Sequence, residues 1–126
     1  MSSMRKFKLG PVALTNTYGT NICNPGTTTG GTNATAAPYD KQIIILYHIR
    51  VVNKGATAAT FRLYVGATAA TAAGTEIAYD VSVAAGSYVD LPFYSGIVLT
   101  TSDFLVGGAS ASTTLTLYAE GEVGIA

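Results

Sequence analysis

Hydrophobic and polar residues alternate along most of this chain with a period of two, and a helical period is nearly absent. Such alternation sets one face of an extended segment against a core and the other toward solvent. The strongest segment is Ile43 to Asn53, whose odd positions Ile43, Ile45, Tyr47, Ile49 and Val51 form an apolar face. Its even face starts apolar with Ile44 and Leu46 and turns polar at His48 and Arg50, as expected of a long central strand covered on both sides at one end. Thr60 to Val65 turns Phe61, Leu63 and Val65 inward, and Glu76 to Val83 turns Ile77, Tyr79, Val81 and Val83 inward. Val12 to Tyr18, Ser87 to Leu91, Ile97 to Thr100, Phe104 to Val106 and Thr113 to Val123 bring the number of predicted strands to eight.

Turns at Gly55, Gly66, Gly74, Gly86, Gly96 and Gly107-Gly108 separate these strands. Eight short strands spaced in this way predict an all-β fold, a single antiparallel β-sandwich that is jelly-roll-like. Its expected core includes Ile45, Ile49, Phe61, Leu63, Ile77, Val81, Leu115 and Leu117. The sandwich occupies residues 12–126 and is preceded by a basic arm over residues 1–11. Residues 24–38 hold no charge and no large apolar side chain, and are expected to form a long surface loop that orders against a neighbouring copy.

Composition narrows the classes. Of the 126 residues, 19 are Ala, 18 Thr and 14 Gly, and only 11% are charged. Low charge with this much Thr, Ala and Gly disfavours both a helical cytosolic protein and a solvated disordered tail. The net charge of zero argues against nucleic acid as a partner. The longest apolar run, Ile43 to Tyr47, is far below the roughly 18 residues of a membrane helix. No apolar stretch follows the basic N-terminus, so no signal peptide is expected.

Charge order is more informative than charge content. Residues 1–62 carry a net +6 and residues 63–126 a net −6. Two arrangements produce this: a fold that interleaves the halves so that charges pair across strands, or a molecule with a basic and an acidic pole, suited to contacts between copies. The densest basic cluster is Arg5-Lys6-Phe7-Lys8. It reads as an extended arm anchoring the chain to a partner, with Phe7 as an apolar plug, and its removal is expected to leave the fold intact.

Catalytic chemistry finds little support. His48 is the only imidazole, whereas nucleophilic triads and zinc sites need His beside Ser, Cys, Asp or further His. Glu120 and Glu122 lie on one side of a strand without further ligands, and Gly30-Gly31 lacks the Lys-Ser and helix of a phosphate loop. Cys23 is a lone thiol. The chain is therefore expected to be non-enzymatic and to need no cofactor. Its eight Tyr could stack on sugars, but most fall at inward-facing strand positions, which favours core. The hexapeptide Gly-Ala-Thr-Ala-Ala-Thr at 55–60 and 66–71 reads as compositional bias in connecting loops.

Several segments carry a resemblance: Leu14 to Tyr18 with Thr20-Asn21-Ile22, His48 to Lys54, Ala59 to Gly66, Ala73 to Glu76, Asp103 to Gly108 and Leu115 to Glu122. With the Thr/Gly loop near 27–32, they make the chain resemble small virion proteins of tailed bacteriophages over most of residues 12–124. The resemblance implies a β-rich structural protein of the particle. The expected role is capsid decoration: homotrimers bound to the major capsid protein on the outer shell, assembled in the host cytoplasm, with no membrane partner. The alternative is a tail-tip or fibre module that recognises host surface glycans.

Overall fold

The computed structural model describes residues 5–25 and 42–125, and every regular element in it is a strand. The strands are β1 (Arg5–Ala13), β2 (Asn21–Cys23), β3 (Gln42–Asn53), β4 (Ala59–Gly66), β5 (Glu76–Val83), β6 (Tyr88–Leu99), β7 (Phe104–Ala109) and β8 (Leu115–Ile125). They form two four-stranded antiparallel sheets, ordered β1-β8-β3-β6 and β2-β7-β4-β5. The pairs β1·β8, β2·β7, β3·β6 and β4·β5 are nested: the outermost strands of the chain pair with each other, then the next, down to the β4–β5 hairpin. Rolling that ribbon of pairs so that alternate pairs fall in opposite sheets yields this strand order. The fold is a jelly roll.

The core lies between the sheets. Ile49, Phe61, Leu63, Leu115 and Leu117 are fully buried there, as expected. Ile77 and Val81 pack against its margin, and Ile45 is only half-buried. β-Bulges cause the departures. In β3 the register with both neighbours slips at Tyr47, between Leu46 and His48. Even positions Ile44 and Leu46 therefore face the core before the bulge, and odd positions Ile49 and Val51 after it. Tyr47, expected inward, is exposed. In β5 the register slips between Val81 and Ala78, and Asp80 takes φ +49°. The phase inverts in the same way: Ala78 and Val83 are buried while Tyr79 is 56% exposed.

The expected arm is also altered. From Arg5 onward the segment is β1, in register with β8 from Arg5↔Val123 to Lys8↔Glu120. Phe7 and Leu9 belong to the core, and Lys6 and Lys8 point to solvent. The sequence Lys-Phe-Lys-Leu is thus the alternation of a half-buried strand, masked by its charge. The expected strand over residues 12–18 survives only at Val12 and Ala13. β2 was not anticipated, and the two short strands expected around 87–91 and 97–100 are one strand, β6, interrupted by a bulge between Pro92 and Ile97. The 24–38 loop lies outside the described residues beyond Pro25.

All four sheet edges are blunted against pairing with another chain. β1 carries outward lysines and a register slip at Gly10-Pro11, and β2 has three residues. β5 bulges at Asp80, and β6 carries Pro92 and the protruding 93–96 segment with Tyr94 93% exposed. Two buried amides tie connections to the core. Asn53 Nδ2 donates to the carbonyls of Thr57 and Val83 at 2.9 Å each, and its Oδ1 accepts from Gly55 N–H at 2.7 Å. Asn24 Nδ2 donates to the carbonyls of Thr101 and Asp103 at 3.0 and 2.7 Å. Such satisfied amides avoid the roughly 1–3 kcal/mol cost of a buried orphan group.

Candidate interaction surface

The outer face of the first sheet gathers the residues that the sequence marked for chemistry. β1 presents Lys6 and Lys8, β8 presents Tyr118, Glu120 and Glu122, β3 presents Tyr47, His48 and Arg50, and β6 presents Tyr88 and Asp90. Strand alternation alone turns most of them outward. At the β3 bulge two consecutive residues, Tyr47 and His48, face outward together. Gly121 lies opposite the bulge, where an added Cβ would collide with the Ile45 carbonyl oxygen. Glycine thus permits the close backbone approach that the bulge requires.

These side chains fall into three local sets of contacts. Arg50 binds Asp90 through two contacts, Nε to Oδ1 at 2.7 Å and Nη2 to Oδ2 at 3.1 Å, and its guanidinium lies 4.3 Å from the Tyr88 ring centre. His48 Nε2 is 3.0 Å from Asp90 Oδ1, and Nδ1 is 3.8 Å from Glu120 Oε1. Tyr47 Oη donates to Glu122 Oε1 at 3.1 Å, and Lys8 Nζ sits 6.0 Å from the Tyr118 ring centre. The hydrogen bonds from Arg50 hold the Asp90 carboxyl below the usual carboxylate range. The Glu122 carboxylate, as acceptor, pushes the Tyr47 hydroxyl upward. A shallow groove of about 600 Å³ runs between Lys6, Lys8, Tyr47, Tyr118, Glu120 and Glu122.

The second sheet repeats the theme. Arg62 on β4 binds Asp80 on β5 through Nε to Oδ1 at 2.6 Å and Nη2 to Oδ2 at 3.2 Å. The Tyr18 and Tyr79 ring centres lie 4.2 Å from this guanidinium. The Arg62 hydrogen bonds lower the Asp80 carboxyl from its ordinary value, and the same contact raises the guanidinium. Both arginines of the described strand interior therefore meet a carboxylate from the other half of the chain. The nested pairing explains why: every strand of the basic half lies against one of the acidic half. At these two arginines the charges pair across strands, the first of the two arrangements expected from the charge order.

His48 faces two carboxylates on an open sheet, and among the described residues no group of three His, Cys, Asp or Glu could hold a metal. Cys23 is buried on β2, and burial pushes its thiol up to about 12, which removes the thiolate nucleophile. Of the four residues expected to anchor a partner, Arg5 opens β1, Lys6 and Lys8 border the groove, and Phe7 sits in the chain's own core. Tyr47, Tyr79, Tyr88 and Tyr94 are exposed rather than buried. The sequence signal that could have placed Tyr47 and Tyr79 was the polar residue beside each apolar phase change, His48 after Tyr47 and Asp80 after Tyr79.

No protein-family model and no curated protein matches this chain. Among solved structures it is similar to the coat protein of tobacco streak virus, seen as a dimer, with a TM-score of 0.49 and 13% identity over 97% of this chain and 85% of that one. It is also similar to a chain of the T13 IBDV viral particle, with a TM-score of 0.47 and 11% identity over 98% of this chain. A third similarity is to infectious bursal disease virus Gx strain, with a TM-score of 0.42 and 15% identity. In both of the latter the chain spans only 31% of its counterpart.

Proposed function

We propose that this chain is a non-enzymatic structural protein of a bacteriophage particle, a capsid decoration protein that sits on the outer shell in many copies and stabilises it. The observation that supports this most is the outer face of the first sheet. It is a broad surface of tyrosines and balanced charges on four strands, with a shallow groove in place of an enclosed cleft. Tyr and Arg are the side chains that most often dominate protein contacts, and balanced charge gives register more than bulk attraction. The resemblance of the segments above to phage virion proteins supports the same reading. So do the blunted edges, because a protein crowded at high local concentration must avoid uncontrolled strand pairing.

In this reading the partner is the major capsid protein, the protein is a homotrimer, and the face bearing Lys6 and Lys8 meets the shell. Arg5 opens the same strand, and Phe7 acts indirectly by pinning β1 to the body. Gel densitometry of purified particles is the decisive measurement. Hundreds of copies per particle are expected; a handful would support the alternative of a tail-tip recognition module instead. A charge reversal, Lys6→Glu with Lys8→Glu, is expected to lower occupancy on undecorated particles, and rising salt should weaken wild-type binding. Unchanged occupancy would move the contact elsewhere.

A further inference from the structure

We propose that the outer face of the second sheet carries a binding site for a neutral saccharide, built from Tyr18, Arg62, Tyr64, Glu76, Tyr79 and Asp80. The proposal is independent of the particle role and can be tested on the isolated protein. These residues come from the β1–β2 connection, β4 and β5, and only the fold brings them together. Tyr18, Arg62, Tyr64, Glu76 and Tyr79 line a groove of about 590 Å³, and Asp80 holds Arg62 in place. That volume falls within the roughly 300–1,000 Å³ of small-molecule sites.

The chemistry of the lining selects the ligand class. Among the described residues the groove is lined by no branched aliphatic side chain and no Phe, so it offers little to an apolar peptide anchor. Its one cation among the described residues, Arg62, is latched to Asp80 through two contacts, and Glu76 adds a further carboxylate. Among the described residues no unpaired positive charge remains in this groove to attract phosphate or nucleic acid. A saccharide needs apolar faces for its C–H surfaces and planar hydrogen-bonding groups for its hydroxyl edges. Tyr18 and Tyr79 offer ring surface, while the phenol hydroxyls and carboxylates offer the polar edges.

The site is also preorganised. The guanidinium is held between two rings 4.2 Å from it, and the Glu76 carboxylate accepts from Gly74 N–H at 3.0 Å. Side chains already locked in place lose little freedom when a ligand arrives. Tyr79 remains 56% exposed because the bulge at Asp80 turns it away from the core. Bulges are over-represented next to active sites as well as at sheet edges such as β5.

The experiment titrates the protein with cellotriose, maltotriose and chitotriose while following tyrosine ring signals by NMR, with orthophosphate and a neutral octapeptide as comparison probes. At least one saccharide should shift the Tyr18 and Tyr79 signals saturably, and neither comparison probe should. Tyr79→Ala should weaken that binding about tenfold or more, whereas Tyr79→Phe, which keeps the ring, should stay within about threefold of wild type. Tyr88→Ala and Tyr94→Ala, on the other sheet, should change nothing. Circular dichroism melting should confirm that Tyr79→Ala folds. The proposal is overturned if no saccharide moves these signals, if Tyr79→Ala binds as well as wild type, or if orthophosphate or the peptide binds there instead. Loss of particle occupancy in Tyr79→Ala with no saccharide response would also overturn it, and would assign the face to a protein contact.

Discussion

Replacing Phe7 with Ala separates a strand residue from a plug that enters a partner. Phe7 is 7% exposed in the core between the sheets, on the edge strand β1. Burial of its ring contributes about 1.5–3 kcal/mol by transfer from water. Truncation also leaves a cavity, and Phe→Ala changes in cores cost about 3–5 kcal/mol. An edge strand can shift inward and close part of that space, which places the expected loss near 3 kcal/mol. For a chain of this size each kcal/mol moves the melting temperature by roughly 4 °C, so Phe7→Ala should melt about 12 °C lower. Thermal unfolding followed by circular dichroism, on the purified protein without particles, measures this directly. Lys6→Ala and Lys8→Ala are the controls and should stay within about 0.5 kcal/mol of wild type. A truncation of residues 1–8 should be at least as damaging as Phe7→Ala, because it also removes the ladder from Arg5↔Val123 to Lys8↔Glu120. If Phe7→Ala melts within about 2 °C of wild type and instead loses particle occupancy, the ring serves the partner, and the reasoning fails.

Three further outcomes follow from the geometry. Gly121→Ala should lose about 1–3 kcal/mol in urea titrations, because the new Cβ meets the Ile45 carbonyl at the β3 bulge; wild-type stability would show that the bulge relaxes freely. Asp80 and Asp90 titrate below 3.8 when folded, because Arg62 and Arg50 hydrogen-bond their ionised forms. The unfolded chain therefore takes up these protons first on acidification. Their contribution is complete above pH 3.8 and is lost as pH falls through the lower native values. Asp80→Asn with Asp90→Asn should make the acid decline of the melting temperature shallower, and an unchanged slope would contradict the pairing. Cys23, buried and shifted up to about 12, should react with a thiol reagent only after denaturant is added; rapid labelling of the native protein would refute its burial.

The sequence by itself determined the fold class, because a period-two pattern admits one reading wherever one face of a strand is buried. Ile49, Phe61, Leu63, Leu115 and Leu117 were legible as core for that reason. The charge order was also legible, but its meaning was not. A net +6 half and a net −6 half leave a dipolar body and cross-strand pairing both open until the topology is known. Nested pairing laid β3 against β6 and β4 against β5, which turned the same order into Arg50–Asp90 and Arg62–Asp80. Tertiary structure likewise decided that Arg5 to Lys8 is a strand, since the alternation of Phe7 and Leu9 becomes useful only once β8 offers a partner. It also decided both tyrosine faces. A bulge adds one residue to one strand of a pair, so its position depends on the register of the neighbour. A single-strand pattern holds no record of that register, and beyond each bulge inside and outside exchange places.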